Sequence, residues 1–214
     1  IYLMIIGILY ALVFSPDDYQ QGFTVKIMFI HVPAAWLAMF TYALMTIYGI
    51  LALSFKITFG YIFIKAVAPI GLIFTLMCLI TGSIWGKPMW GTWWVWDARL
   101  TSVLILGIFY IIIMILNRSF DDIENGEKIS TIFVLLGSIN LPIIKFSVDW
   151  WNTLHQGASI TTSGSSIDSE MLYALPIMLI ALLFISFAIF GRNIQFEILN
   201  RSSNTKMIKE ALNG

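Results

Sequence analysis

Apolar runs separated by short polar breaks dominate this chain, and their lengths point to its architecture before any single residue does. A helix that crosses a bilayer needs roughly 20 mostly apolar residues. Runs of that kind fall at about 33–53, 66–84, 100–116, 129–148 and 171–191, and a shorter one occupies 1–14. The breaks are charged or turn-forming: 15–26 (SPDDYQQGFTVK), Lys56 to Lys65, 117–128 (NRSFDDIENGEK) and 149–170 (DWWNTLHQGASITTSGSSIDSE). The pattern predicts an all-α polytopic membrane protein, with six transmembrane helices in a single integral membrane domain over 1–214. Pro33 suits the first turn of a helix, which starts the second span there and leaves His31 in the loop before it. The first run begins without Met and is read as most of a span trimmed by a few residues, since no small-residue cleavage pattern of a signal peptide follows. Asn140, Pro142 and Lys145 interrupt the fifth run, a cost in lipid unless they face protein or water.

Composition agrees. The chain is 59% hydrophobic and 11% charged, with a mean hydropathy of +0.88, whereas soluble domains are about a quarter charged. The lipid bilayer is therefore an obligatory partner. A formal charge of zero argues against nucleic acid, which requires a basic surface. The single cysteine, Cys78, permits no internal disulfide and reads as packing. There is no CxxCH, so the chain is not itself a c-type cytochrome, and no GxxxxGK[ST], so any ATPase is a separate polypeptide.

Lysine and arginine set the expected orientation. Lys56, Lys65, Arg118, Lys128, Arg192, Arg201, Lys206 and Lys209 share the side of the termini; Lys26, Lys87, Arg99 and Lys145 lie opposite. That bias puts the termini in the cytoplasm. Both histidines, His31 and His155, and all eight tryptophans then fall on the outer side.

Five of those tryptophans, Trp85, Trp90, Trp93, Trp94 and Trp96, crowd into the outward-facing loop 85–102 (WGKPMWGTWWVWDARLTS). An interfacial belt is the ordinary use of tryptophan in a membrane protein, and it accounts for Trp36. A belt, however, places indoles at both faces. Gly86 and Gly91 among the indoles would also let backbone approach a flat ligand. The cluster therefore reads as a stacking platform. Two neutral imidazoles beside it can fill both axial positions of a haem iron. A zinc site is disfavoured, because no carboxylate or thiolate stands at ligand spacing. An electron-carrying b-type cytochrome is disfavoured because no expected span holds a histidine. Lys87 and Arg99 can meet the carboxylates of a planar acid, or snorkel, or, for Arg99, pair with Asp97. Asp97 also suits a helix start. Lys145 sits close enough to the outer surface to snorkel.

WGTWWVWDARLTS, flanked by IMFIHVPAAW and WWNTLHQGAS in that order, resembles the WWD-domain family of haem-handling membrane proteins, and within it the haem exporter protein C branch of cytochrome c maturation. The resemblance implies that His31 and His155 are axial ligands of haem b at the periplasmic face of a bacterial inner membrane. It implies that Trp90, Gly91, Trp93, Trp94, Trp96 and Asp97 hold the haem plane, with Trp85 and Arg99 beside them. The implied partners are a periplasmic haem chaperone, which bonds haem covalently through a histidine, an ATP-binding cassette ATPase and a second membrane subunit. No catalytic residue is assigned: the chain reads as a transfer protein, at most assisting attachment of haem to the chaperone. The alternative is a transporter or channel subunit moving haem across the bilayer, with its site near the midplane on broken helices.

Overall fold

The computed structural model describes residues 2–157, 159–161 and 164–213; Ile1 of the first expected span, Ala158, Thr162 and Ser163 of the polar loop, and Gly214 lie outside them, as do the side chains of Lys206 and Lys209. The fold is all-α apart from a two-residue hairpin, β1 (Ile160–Thr161) with β2 (Gly164–Ser165). Helix α1 (Tyr2–Leu9) continues as a π-helical turn, Tyr10–Phe14. That apolar segment, Tyr2–Phe14, is shorter; among the described residues five segments are long and apolar enough to cross a membrane: Phe23–Phe55, Thr58–Trp90, Ala98–Leu116, Ile123–Trp150 and Ser169–Ser203.

Three helix limits differ from those the apolar runs predict. Helix α2 (Met28–Phe55) is preceded by a 3₁₀ turn, Phe23–Ile27, so Pro33 and His31 both lie within the helix rather than before it. A proline there removes one N–H, leaving a single carbonyl of the preceding turn without its partner. Helix α3 (Thr58–Trp90) runs past residue 84, making the first part of the tryptophan stretch helical, and it stops at Gly91. That glycine takes φ +76°, a left-handed cap whose N–H bonds Lys87 O at 3.0 Å. At the far end α8 (Ala174–Asn213) continues well beyond residue 191, because its polar tail remains helical after the apolar run ends.

Helix α4 (Ala98–Leu116) starts on the Asp97 cap, whose carboxylate accepts Leu100 N–H at 2.8 Å. The fifth run is two helices, α5 (Ile123–Gly137) and α6 (Asn140–Trp150). Pro142 lacks the N–H that would continue the ladder, and Ser138 O accepts from Leu141 N at 3.0 Å instead. Asn140 is buried at the break and donates to Ser102 O of α4 at 2.8 Å, so the irregular backbone is secured inside protein. A short α7 (Ser169–Leu172) precedes α8.

The bundle wears its apolar residues outward and keeps polar ones within. Phe40, Ile47, Ile73, Ile80, Ile108 and Phe184 are exposed, whereas Thr41, Thr75, Thr131, Ser102 and Glu127 are buried. In lipid no hydrophobic force draws helices together, and close packing with interhelical hydrogen bonds takes its place. Tyr110 of α4 shows how. Its ring lies where a side chain on Gly71 of α3 would be, and its hydroxyl donates to Ala38 O of α2 at 2.8 Å, 2.7 Å from Thr41 Oγ1. Away from the tryptophans, buried Glu127 of α5 receives Lys65 of α3 at 2.9 Å and Arg201 of α8 at 2.7 Å. This ion cluster ties three helices.

Candidate functional site

A cavity of about 290 Å³, mostly apolar in its walls, lies where α2, α3, α4 and α6 meet the loops around the tryptophan stretch. It brings together six of the residues expected to form a site: His31 of α2, Trp85 and Trp90 of α3, Trp94 of the following loop, Arg99 of α4, and His155 of the loop after α6. Segments more than a hundred residues apart in sequence thus converge on one chamber.

Each histidine has one ring nitrogen committed to a main-chain carbonyl. His31 Nδ1 is 3.0 Å from Cys78 O and 3.1 Å from Thr81 Oγ1, and His155 Nδ1 is 2.8 Å from Gln156 O. A carbonyl can only accept, so Nδ1 carries the proton in both rings and Nε2 keeps its lone pair. That tautomer is the one a metal-ligating imidazole uses, the second hydrogen bond fixing the ring's orientation. Burial holds the His155 imidazole below its ordinary pKa, the Gln156 carbonyl opposing and the Arg99 charge reinforcing that shift. The ring stays neutral and available as a ligand.

Packing fixes the rings further. The His31 ring meets Trp85 edge-on, centroids 5.7 Å apart, and Trp85 Nε1 donates to Gln21 Oε1 at 3.0 Å. Gln21 is itself held in a turn by Asp18, whose carboxylate accepts its N–H at 2.8 Å. A Cβ on Gly82, also of α3, would come within 2.9 Å of His31 Cε1. Trp90 leans over Gly86, where a Cβ would sit 2.9 Å from the indole, and lies 6.5 Å from the His155 ring.

The other four expected site residues, Gly91, Trp93, Trp96 and Asp97, do not line the cavity. Gly91 is the turn that ends α3. Trp93 and Trp96 are 55% and 76% exposed. The Asp97 carboxylate caps α4 through one oxygen and accepts Leu154 N–H at 3.2 Å through the other, pinning the residue next to His155. Arg99 donates to Ile144 O and forms no ion pair with Asp97 among the described residues. Lys87 also points elsewhere, its ammonium bonding Gly91 O at 3.0 Å and lying 5.9 Å from the Trp93 ring centroid.

Several lining residues are not among those expected at the site. Trp36, assigned to an interfacial belt, faces the cavity, as do Gln21, Gly82 and Lys145. Trp36 and His31 lie on one helix but roughly 140° apart around its axis, so helical spacing alone does not pair them, and only the packed structure brings both to the cavity. His31 being helical also removes the argument against a b-type cytochrome from spans without histidine. His155, in a loop, still departs from a pair of helix-borne ligands. Among the described residues no three His, Cys, Asp or Glu side chains gather to cage a bare metal ion.

An apolar chamber walled by indoles, with two imidazoles in its lining whose Nδ1 atoms are already engaged, has the residue chemistry that a planar aromatic macrocycle with a ligated metal would need. Comparison with known proteins leads the same way. The Heme exporter protein C (CcmC) family model matches residues 1–209. The Heme exporter protein C of Bradyrhizobium diazoefficiens is 49% identical over 210 residues, 98% of this chain and 80% of that protein. That of Escherichia coli K12 is 48% identical over 166 residues, 78% of this chain and 67% of that protein. A cytochrome c biosynthesis ccmC-like mitochondrial protein of Marchantia polymorpha is 51% identical over 166 residues, covering 78% and 69%. With the match running through nearly the whole chain, this protein belongs to the Heme exporter protein C family.

Proposed function

We propose that this multi-pass bacterial membrane protein, whose family handles haem for cytochrome c biogenesis, binds haem b as cargo at the periplasmic face of the inner membrane and presents it to a periplasmic haem chaperone. The observation that carries the reading is the pair of imidazoles lining one indole-walled cavity, each with Nδ1 on a backbone carbonyl. His31 and His155 are the axial ligands. Trp85, Trp90 and Trp94, joined by Trp36, provide the apolar walls and keep water from the ring. Gly91 and Asp97 act one step back, by turning the chain and by anchoring the His155 loop, while exposed Trp93 and Trp96 offer an aromatic surface to the chaperone. The termini lie in the cytoplasm, as the bias of lysine and arginine favours. An ATP-binding cassette ATPase and a second membrane subunit complete the system and drive release of the loaded chaperone.

The protein's own contribution is positioning. Two fixed imidazoles hold the ring, and transfer requires one of those bonds to exchange. His155 sits on a loop and His31 on a packed helix, so the loop side is the one suited to let go. The detergent-purified chain is expected to show a low-spin bis-imidazole spectrum when oxidised and when reduced. His31→Ala with His155→Ala should abolish the Soret band; haem retained with an unchanged spectrum overturns the ligand assignment.

A transporter is the competing reading, and the broken helix α5–α6 is the feature that favours it. Its polar break is nevertheless satisfied within protein, through Asn140 and Ser102. Vesicles holding this chain alone decide the matter: accumulation of haem inside them would establish transport.

A further inference from the structure

Among the described residues, the cavity is lined by cations and by no carboxylate. Arg99 and Lys145 are its charged side chains, and neither aspartate nor glutamate lines it. The two are brought together by the fold: Arg99 of α4 donates Nη1 to the main-chain carbonyl of Ile144, the residue before Lys145 in α6. Asp97 and Asp149 are the carboxylates within electrostatic reach of Arg99. Neither closes an ion pair with it, and Asp97 is committed to Leu100 N–H and Leu154 N–H. The remaining guanidinium donors can meet a planar anion in the two-pronged fashion that suits carboxylate. Lys145 is exposed at the cavity's edge, and its ammonium has no hydrogen-bond or ion-pair partner among the described residues. A third donor belongs to the same chamber. Trp94 lines it, and Trp94 Nε1 is buried with no acceptor. An indole N–H can only donate, so an acceptor is what the site lacks.

We infer that Arg99, Lys145 and Trp94 Nε1 form a carboxylate-binding end of the cavity, selecting an amphipathic planar dianion and fixing the orientation of its ring in the plane. The inference rests on the haem-binding reading and adds to it the part of the cargo that is recognised: the two propionate groups. The histidines take the metal and the indoles take the faces, so neither distinguishes one edge of the macrocycle from another. Lys145 here takes the place that the sequence offers to Lys87, whose ammonium is bound to Gly91 O outside the cavity.

Haem and haem dimethyl ester, which has both propionates methylated, separate the two contributions without any mutation. Each is titrated into the protein in detergent, with the His31→Ala/His155→Ala variant subtracting partition into micelles. The wild-type protein is expected to bind haem at least tenfold more tightly than the diester, with the same low-spin spectrum for both. Arg99→Gln combined with Lys145→Gln should erase that preference, and Trp94→Phe should reduce it. Lys145→Gln alone, which leaves the Arg99 bond to Ile144 intact, should weaken haem more than diester and answers the case in which the double variant does not fold. Equal affinity for haem and diester in the wild type, or a preference that survives in the double variant, overturns the inference while the histidine ligation stands. A wild-type protein that takes up neither compound overturns the haem-binding reading and this inference together.

Discussion

At the scale of single residues, the imidazoles owe their usefulness to neighbours with no ligand chemistry of their own. Gly82 is one. A methyl group there would stand 2.9 Å from His31 Cε1, tighter than a rigidly held ring can accept. Gly82→Ala should therefore displace the imidazole and weaken haem binding by about tenfold, roughly 1.4 kcal/mol, with the helical circular dichroism unchanged; wild-type affinity in a folded variant would show that the ring has room. Gln21 is another, because its side-chain carbonyl is the acceptor for the Trp85 indole that packs against His31. Gln21→Leu leaves that donor without a partner, at a cost of about 1–3 kcal/mol if it stays buried. The expected result is faster transfer of haem to apomyoglobin and a high-spin shoulder in the spectrum, rescued by Gln21→Glu, which keeps an acceptor.

At the scale of elements, the decisive pieces are helix ends. The α3 helix carries Trp85 and Trp90 to its last turn and stops on a left-handed glycine; α4 starts on Asp97. One carboxylate both caps α4 and holds Leu154, so the helix start and the His155 loop share an anchor. Asp97→Ala should cost about 1 kcal/mol as a lost cap and also loosen the loop. Asp97→Ser, which can still cap, should restore thermal stability more fully than haem affinity. If both recover together, the bond to Leu154 contributes nothing to the site. The tryptophan stretch, for its part, is a helix end, a turn and a helix start, and its indoles divide accordingly between cavity wall and exposed surface.

At the scale of the whole molecule, the site and the main ion cluster involve different parts of the bundle. Glu127, buried and holding Lys65 and Arg201, joins α3, α5 and α8 and touches no cavity residue named above. Removing one member of a buried ion cluster leaves the others uncompensated and costs about 3–5 kcal/mol. Glu127→Ala should accordingly lower the Tm of the detergent-solubilised protein markedly while the bis-imidazole spectrum of the surviving folded fraction stays unchanged. A spectral change would mean that the cluster and the cavity are mechanically coupled along α3.

The sequence by itself determined the class of protein and the kinds of residue in its site. Runs of apolar residues near bilayer length admit only helices in lipid, since each backbone polar group must be satisfied within its own segment. Five indoles beside a glycine turn, with two histidines far away in the chain, were legible as a candidate site because such types rarely gather without a use. What remained hidden depends on contacts between segments. Whether His31 is in a loop or a helix turned on a 3₁₀ lead-in that composition does not mark, and Trp36 could not be told from an interfacial indole until α2 faced the cavity. Which cation lines the cavity was equally a matter of tertiary structure: Lys87 is nearer the tryptophans in sequence, but packing of α4 against α6 sets Arg99 on Ile144 O and puts Lys145, not Lys87, in the cavity lining. Local pattern specifies what each segment is, while only the packing of segments specifies which face of each lines the cavity.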